Sequence, residues 1–277
     1  MLDAKIAALW ELRRPAVMGI VNVTPDSFAD GGRFADRADA VRHGLRLAAQ
    51  GASVVDVGGE STRPGAGPVS VADETARVVP VIAALARELP GTLISVDTTK
   101  AAVAAAALDA GAGLVNDVAA GRDPAMLPLV AARGVAVVLM HMRGDPATMQ
   151  SETAYADVVA EVHDFLRDRA AAARAAGIPA HRVFLDPGIG FGKDLDGNLA
   201  LLRALPDLAA LGHPIVVGAS RKSFIGRLTG AAVDDRLPGS LAALAATARL
   251  PRVVVRVHDV ADTVQFLTVA AALEGVA

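Results

Sequence analysis

The 277-residue chain contains no cysteine. Disulfides, thiolate metal ligands and a cysteine nucleophile are thereby excluded, and any chemistry must use oxygen and nitrogen groups. Aromatic residues make up only 3%, with one Trp and one Tyr. No uncharged apolar run approaches the roughly 20 residues needed to cross a bilayer. The N-terminal stretch mixes Asp3, Lys5, Glu11, Arg13 and Arg14 into its apolar residues and lacks the apolar centre of a secretory signal. These two absences predict a cytoplasmic protein. There is no excess of positive charge either: 27 Lys and Arg stand against 30 Asp and Glu, for a net charge of −3. Without a basic surface field, neither a nucleic acid nor an anionic membrane is indicated, and a small-molecule ligand is expected.

Aliphatic residues dominate what is present, in a chain that is 53% hydrophobic. Short apolar runs bounded by Gly, Pro and Asp fall at 16–23, 53–59, 92–97, 114–117, 136–141, 182–186, 214–220 and 253–259. Segments of helical periodicity follow them at 36–50, 73–89, 100–110, 124–133, 155–176, 195–211, 238–250 and 260–273. Near-continuous apolar strands separated by helices are the pattern of a parallel sheet covered on both faces. Eight such pairs in a chain of this length favour an α/β fold, a single (β/α)8 TIM barrel over 1–277, above an open doubly wound sheet. No low-complexity linker divides the chain. Residues 1–14 are expected to form a helix over the closed bottom of the barrel.

In a parallel barrel the active site gathers at the carboxyl ends of the strands. The polar residues there are Asn22, the segment Glu60 to Arg63, Asp97, Asn116 with Asp117, His141, Asp186, the triplet Ser220, Arg221 and Lys222, then Arg256 and His258. Any one could simply form a turn or cap the next helix, and Asp117, Asp259 and Thr98 fit that role best. Capping does not account for Arg256, Lys222 and His141 where strands stop.

Two long polar loops, 24–34 and 61–70, follow the first two strands on the same face, and their length predicts mobile lids hinged on Gly31, Gly32, Gly65 and Gly67. The segment DPGIGFGK (186–193) fails as a phosphate loop, because Pro187 stands where the first glycine belongs and Asp194 follows the lysine. Carboxylates and an amide at Asp97, Asp186 and Asn116 suit a ligand that offers several ring N–H and amino donors, as a pterin does. Arg63, Arg256 and His258 provide cationic donors for phosphate, although an arginine could equally pair with a neighbouring carboxylate.

The runs MGIVNVTPDSFADGG (18–32), DVGGESTRPGA (56–66), SVDTTK (95–100), VNDV (115–118), LMHMRGDPATMQ (139–150), LDPGIGFGK (185–193), GASRKSFIG (218–226) and RVHDV (256–260) together resemble the dihydropteroate synthase family, in family order across nearly the whole chain. The resemblance implies condensation of 6-hydroxymethyl-7,8-dihydropterin pyrophosphate with p-aminobenzoate, with Asp97, Asp186, Lys222 and Arg256 as the central residues. It places the pterin against Asp97, Asn116, Asp186 and Lys222, in a slot lined by Met140, Phe191 and Gly218. It places pyrophosphate near Asn22, Arg63, Arg256 and His258, with Asn22 a ligand of Mg2+, and p-aminobenzoate near Thr62, Pro64, Phe191, Lys222 and Ser223. A homodimer and sulfonamide sensitivity are implied on the same footing. Arg143 stands where the family often has Gln, which leaves the partner of its charge open. Two alternatives remain: a pterin-binding methyltransferase barrel, which would have little use for GESTRPGA or SRKSF, and a catalytically silent paralogue.

Overall fold

A computed structural model describes residues 2–12, 14–24, 32–61, 67–145, 148–149 and 151–275, with backbone alone over 32–36. Eight parallel strands close into one barrel in sequence order: β1 (Ala16–Asn22), β2 (Val54–Gly58), β3 (Leu93–Asp97), β4 (Leu114–Asp117), β5 (Ala136–Met140), β6 (Val183–Asp186), β7 (Ile215–Val217) and β8 (Val253–Val257). Closure comes from pairing of β8 with β1, where Met18 lies opposite Arg256. The outer layer consists of α2 (Gly32–Ala49), α3 (Val71–Glu88), α4 (Ala101–Asp109), α5 (Met126–Arg133), α6 (Val158–Ala175), α7 (Leu195–Arg203), α8 (Leu205–Ala209), α9 (Ser223–Thr229), α10 (Leu237–Leu244) and α11 (Val260–Leu273). The predicted barrel is therefore the observed one. No helix among the described residues is long and apolar enough to cross a membrane.

Because successive strand residues point to opposite faces, each strand serves two cores. Val17, Val55, Val57, Ile94, Val96, Val137, Leu139 and Leu185 face out and pack under the helices. Ala16, Met18, Val54, Leu93, Leu114, Val138, Phe184, Val216 and Val254 face in and fill the lower barrel. Helix α1 (Leu2–Glu11) plugs that end, as expected, with Ile6 and Leu9 buried and the Trp10 ring 5.8 Å from Phe184. At about 25 cal/mol per Å2 of apolar surface, each of these large side chains stabilises the barrel by roughly 2 kcal/mol. The inward residues turn polar from mid-strand, at Asp56 and Ser95, to the carboxyl ends, so the apolar plug leaves one open end on which the site can form.

Helix boundaries depart from the periodic reading where backbone chemistry intervenes. The single helix expected over 195–211 is broken at Ala204, because Pro206 at the start of α8 has no N–H to donate. The strand expected over 214–220 ends at Val217, and the chain instead turns through Arg221, with φ of 57°, into α9, which the periodic reading did not include. Helix α2 begins at Gly32, so the first polar loop is shorter than 24–34. Helix α6 starts where Asp157 accepts the Val159 and Ala160 N–H groups at 3.0 Å each.

Candidate active site

Register sets the floor of the open end. Asp97 lies opposite both Gly58 and Asn116, and Met140 lies opposite Asp186, so these side chains from β3, β4, β5 and β6 line one inward layer. Arg256 reaches this layer from β8 and donates through Nη2 to Asp97 Oδ2 at 2.7 Å. Its Nε donates at 2.7 Å to Oδ2 of Asp56, a wholly buried carboxylate one step deeper in β2, and the same oxygen accepts from Asn116 Nδ2 at 3.0 Å. One buried acid thus orients both an amide and a guanidinium of the floor. Asp56 was missing from the strand-end reading because it stands mid-strand; its signal was a carboxylate on the inward face of VVDVG. Burial opposes the charge of Arg256, but Asp56 and Asp97 outweigh it and hold the guanidinium above the ordinary arginine range.

Burial pushes Asp97 up to about 7, with Arg256 pulling the other way, and pushes Asp186 up to about 6 against the Gly188 N–H that its carboxylate accepts at 2.7 Å. Lys222 precedes α9 and is drawn down to about 8, by burial first and then by Arg256. Its ammonium stands 3.9 Å from the centroid of the Phe191 ring. A Cβ built on Gly218 would meet nothing within 4 Å, so the backbone there borders open space. Asp97, Asn116, Met140, Asp186, Phe191, Gly218, Lys222 and Arg256 therefore line one mouth, with Ser223 exposed beside it as the first residue of α9. Thr62, Arg63 and Pro64 lie outside the described residues.

Asn22 and His258 occupy the neighbouring rim. Together with Ile20 and, from α2, Asp39, Arg42, His43 and Arg46 they line a cleft of about 410 Å3. The sequence reading did not anticipate the α2 wall, whose residues lie in mid-helix, away from any strand end. The cation expected at His258 is a neutral imidazole: burial and the nearby charge of Arg256 lower its pKa to about 4. Ser220 Oγ lies 3.0 Å from His258 Nδ1 and accepts the His258 peptide N–H at 3.3 Å. Asn22 alone is a poor metal cage, and among the described residues no cluster of three or more His, Asp or Glu could hold an ion. One amide oxygen nevertheless fits Mg2+ of the kind that keeps its waters and binds mainly through substrate phosphates.

Other strand-end residues prove structural. Asp117 accepts from Ala119 N at 2.8 Å and Gly121 N at 2.6 Å, and Thr98 Oγ1 accepts from Lys100 N at 3.2 Å, so both shape turns as expected. Asp259 departs from the capping role, binding Arg221 at 3.0 and 2.6 Å instead. His141 points away from the mouth, its ring edge-on to Phe165 at 4.9 Å. Arg143 pairs with Glu161 and lies 3.8 Å from the centroid of Tyr155, which answers the question left by its sequence position. Glu60 accepts Val69 N at 2.8 Å and Lys100 Nζ at 2.5 Å, and Lys100 also binds buried Glu74 at 2.5 Å. Both stems of the second polar loop are joined by that carboxylate.

The family model for pterin binding enzymes matches residues 18–258. A dihydropteroate synthase from Mycobacterium leprae is 50% identical over 264 residues, covering 92% of each chain. Among solved structures, a Xanthomonas albilineans dihydropteroate synthase with 4-aminobenzoic acid superposes with a TM-score of 0.88 at 52% identity, covering 94% of this chain and 93% of that one. The same enzyme in complex with 7,8-dihydropteroate gives 0.85 at 49% identity, with 94% of each covered. The chain belongs to the pterin-binding enzyme family and, within it, to the dihydropteroate synthases.

Proposed function

We infer that this chain joins 6-hydroxymethyl-7,8-dihydropterin pyrophosphate to p-aminobenzoate, releasing 7,8-dihydropteroate and pyrophosphate. The observation that carries the reading is the single mouth in which two carboxylates and an amide, Asp97, Asp186 and Asn116, stand beside Arg256 and Lys222. The carboxylates accept from the amino and ring N–H groups of a pterin, and Asn116, held by Asp56, can accept and donate. Met140, Phe191 and Gly218 flank the flat ring.

In the reaction the bond from the pterin methylene carbon to oxygen breaks and its electron pair leaves with pyrophosphate. The aniline nitrogen attacks the methylene and then loses a proton to solvent. Positive charge spreading into the pterin is stabilised by Asp97 and Asp186, and negative charge on the leaving group by Arg256 and Arg63. With Nδ1 of His258 engaged by Ser220, Nε2 is left to donate to pyrophosphate. Mg2+ held by Asn22 would neutralise part of the leaving-group charge. Thr62, Pro64, Phe191, Lys222 and Ser223 form the p-aminobenzoate side.

Assembly as a homodimer belongs to the same reading, supported by the exposed apolar side chains Leu228, Val233, Val269 and Leu273 around α9 and α11. A cytoplasmic location belongs to the same reading. Incubation with the pterin pyrophosphate, p-aminobenzoate and Mg2+ should release pyrophosphate only when p-aminobenzoate is present. Release independent of it, or none, overturns the assignment.

A further inference from the structure

Lys193 lies 4% exposed, yet its acceptors are peptide carbonyls: Nζ donates to Phe191 O at 2.7 Å, Gly188 O at 2.9 Å and His141 O at 3.2 Å. Three protons meet three carbonyls at one point, which is the full donor capacity of an ammonium group. Two of the carbonyls belong to the 187–192 turn and the third to the residue after β5. The turn needs such a centre, because Gly188, Gly190 and Gly192 have φ of 67°, 84° and 62° and it closes on itself through Phe191 N to Gly188 O at 3.0 Å. It is also pressed between two walls: a Cβ on Gly188 would lie 1.9 Å from His141 O, and one on Gly190 would lie 2.9 Å from Lys222 Cδ. From outside, Asn198 accepts Gly190 N at 2.6 Å and donates to Lys193 O at 3.2 Å.

We propose that Lys193 is a positioning residue of the condensation: its caged ammonium fixes the 187–192 turn so that Phe191 holds Lys222 where the two substrates meet. The chain of contact runs from Nζ to the Phe191 carbonyl, through the Phe191 ring, to the Lys222 ammonium 3.9 Å away. Burial draws Lys193 down to about 7, so the charge is held at a cost that an apolar side chain of the same volume would avoid. Removing the ammonium takes a donor from three inward carbonyls, of which Gly188 O keeps the Phe191 N–H, and lets the turn relax.

The proposal rests on the reading of Phe191 and Lys222 as substrate contacts, and two measurements separate the failure of one from the failure of the other. In a double-mutant cycle, Lys193→Met should lower kcat/KM by about 10²-fold, the scale of a misplacement near 1 Å. Combined with Phe191→Ala, it should do no more harm than the worse single variant. Additive losses, or kinetic constants for Lys193→Met within twofold of wild type, overturn it. Hydrogen exchange at amides 188–192 should accelerate at least about tenfold in Lys193→Met while the strand amides stay protected; unchanged exchange overturns the proposal whatever the wild-type activity. Should Lys193→Met not accumulate as folded protein, Lys193→Arg enters both measurements with the same expectations, since guanidinium cannot point three protons at one centre.

Discussion

Asp97→Asn tests the charge argument at its most exposed point. The substitution keeps the shape and one acceptor oxygen and removes the negative charge that faces the pterin. A full positive charge about 4 Å from a carboxylate at an effective dielectric near 20 is worth about 4 kcal/mol. Arg256 already sits 2.7 Å from Asp97 Oδ2 and cancels part of that field, leaving roughly 2 to 3 kcal/mol, or about 10²-fold in rate at 1.36 kcal/mol per decade. The charge interaction grows as the pterin becomes positive, so kcat should fall by this factor, while KM for the pterin pyrophosphate rises as well because an amide replaces one acceptor oxygen by a donor. Arg256 keeps Asp56 and the barrel core is untouched, so the melting temperature should move by only a few degrees. Continuous pyrophosphate detection at saturating p-aminobenzoate reads both constants. A kcat within threefold of wild type, or a loss confined to KM, refutes the reasoning.

The free-enzyme kcat/KM should be bell-shaped in pH. It rises as Asp186 and Asp97 ionise near 6 and 7 and falls as Lys193 and Lys222 lose their protons near 7 and 8, and Lys222→Met should leave only the Lys193 part of the alkaline limb; a wild-type profile flat to pH 10 contradicts these assignments. His141 is held neutral by burial, its pKa lowered to about 3. The stability it contributes is present above the unfolded value near 6.5 and is lost as pH falls toward 3. In urea titrations between pH 6.5 and 4, His141→Phe should therefore lose about 1.4 kcal/mol less per pH unit than wild type, and parallel curves would sink the neutral-ring assignment. Asp56→Ala leaves Arg256 and Asn116 without their shared acceptor and should cost about 3 to 5 kcal/mol; a urea-unfolding loss below about 1 kcal/mol would show that the pair is not a buried anchor. Phe184→Ala opens a cavity beneath Trp10 and should cost about 3 to 5 kcal/mol while both KM values stay put, since the plug and the mouth lie at opposite ends; altered KM values would count against that separation.

The barrel could be read from eight apolar runs because both faces of every strand are buried, and a continuous aliphatic run has few other uses. The mouth was legible at Asp97, Asn116, Asp186 and Arg256 because hydrophilic residues there interrupt the run at its carboxyl end. Asp56 was not, since a carboxylate within VVDVG gives no sign of whether it faces a ligand, a cation or a helix until the register with β3 and the reach of Arg256 are known. Lys193 was read as part of a failed phosphate loop and of a family run but given no role, because nothing in DPGIGFGK states that its glycines turn three carbonyls inward. His258 had the right position and the wrong charge: residue type fixes the pKa in water, while desolvation beside Arg256 fixes it here. Pro206 and the turn at Arg221 moved helix boundaries through local backbone chemistry, which periodicity does not register.

Under the proposed function, the depth of Asp56 would let Arg256 serve both ends of the substrate. A guanidinium paired with Asp97 alone would have to give up that partner whenever the pterin claimed the carboxylate, and an arginine buried with no partner is costly. Because Nε is anchored on Asp56, one inward step below the layer of Asp97, the guanidinium stays charged and oriented while Nη2 is the arm shared with Asp97. A pterin that draws on Asp97 weakens that shared arm and leaves more of the positive charge for the pyrophosphate. As pyrophosphate departs, Asp97 can take the arm back. The two halves of the substrate would thus be coupled through one arginine whose orientation is set from the layer below, by Asp56.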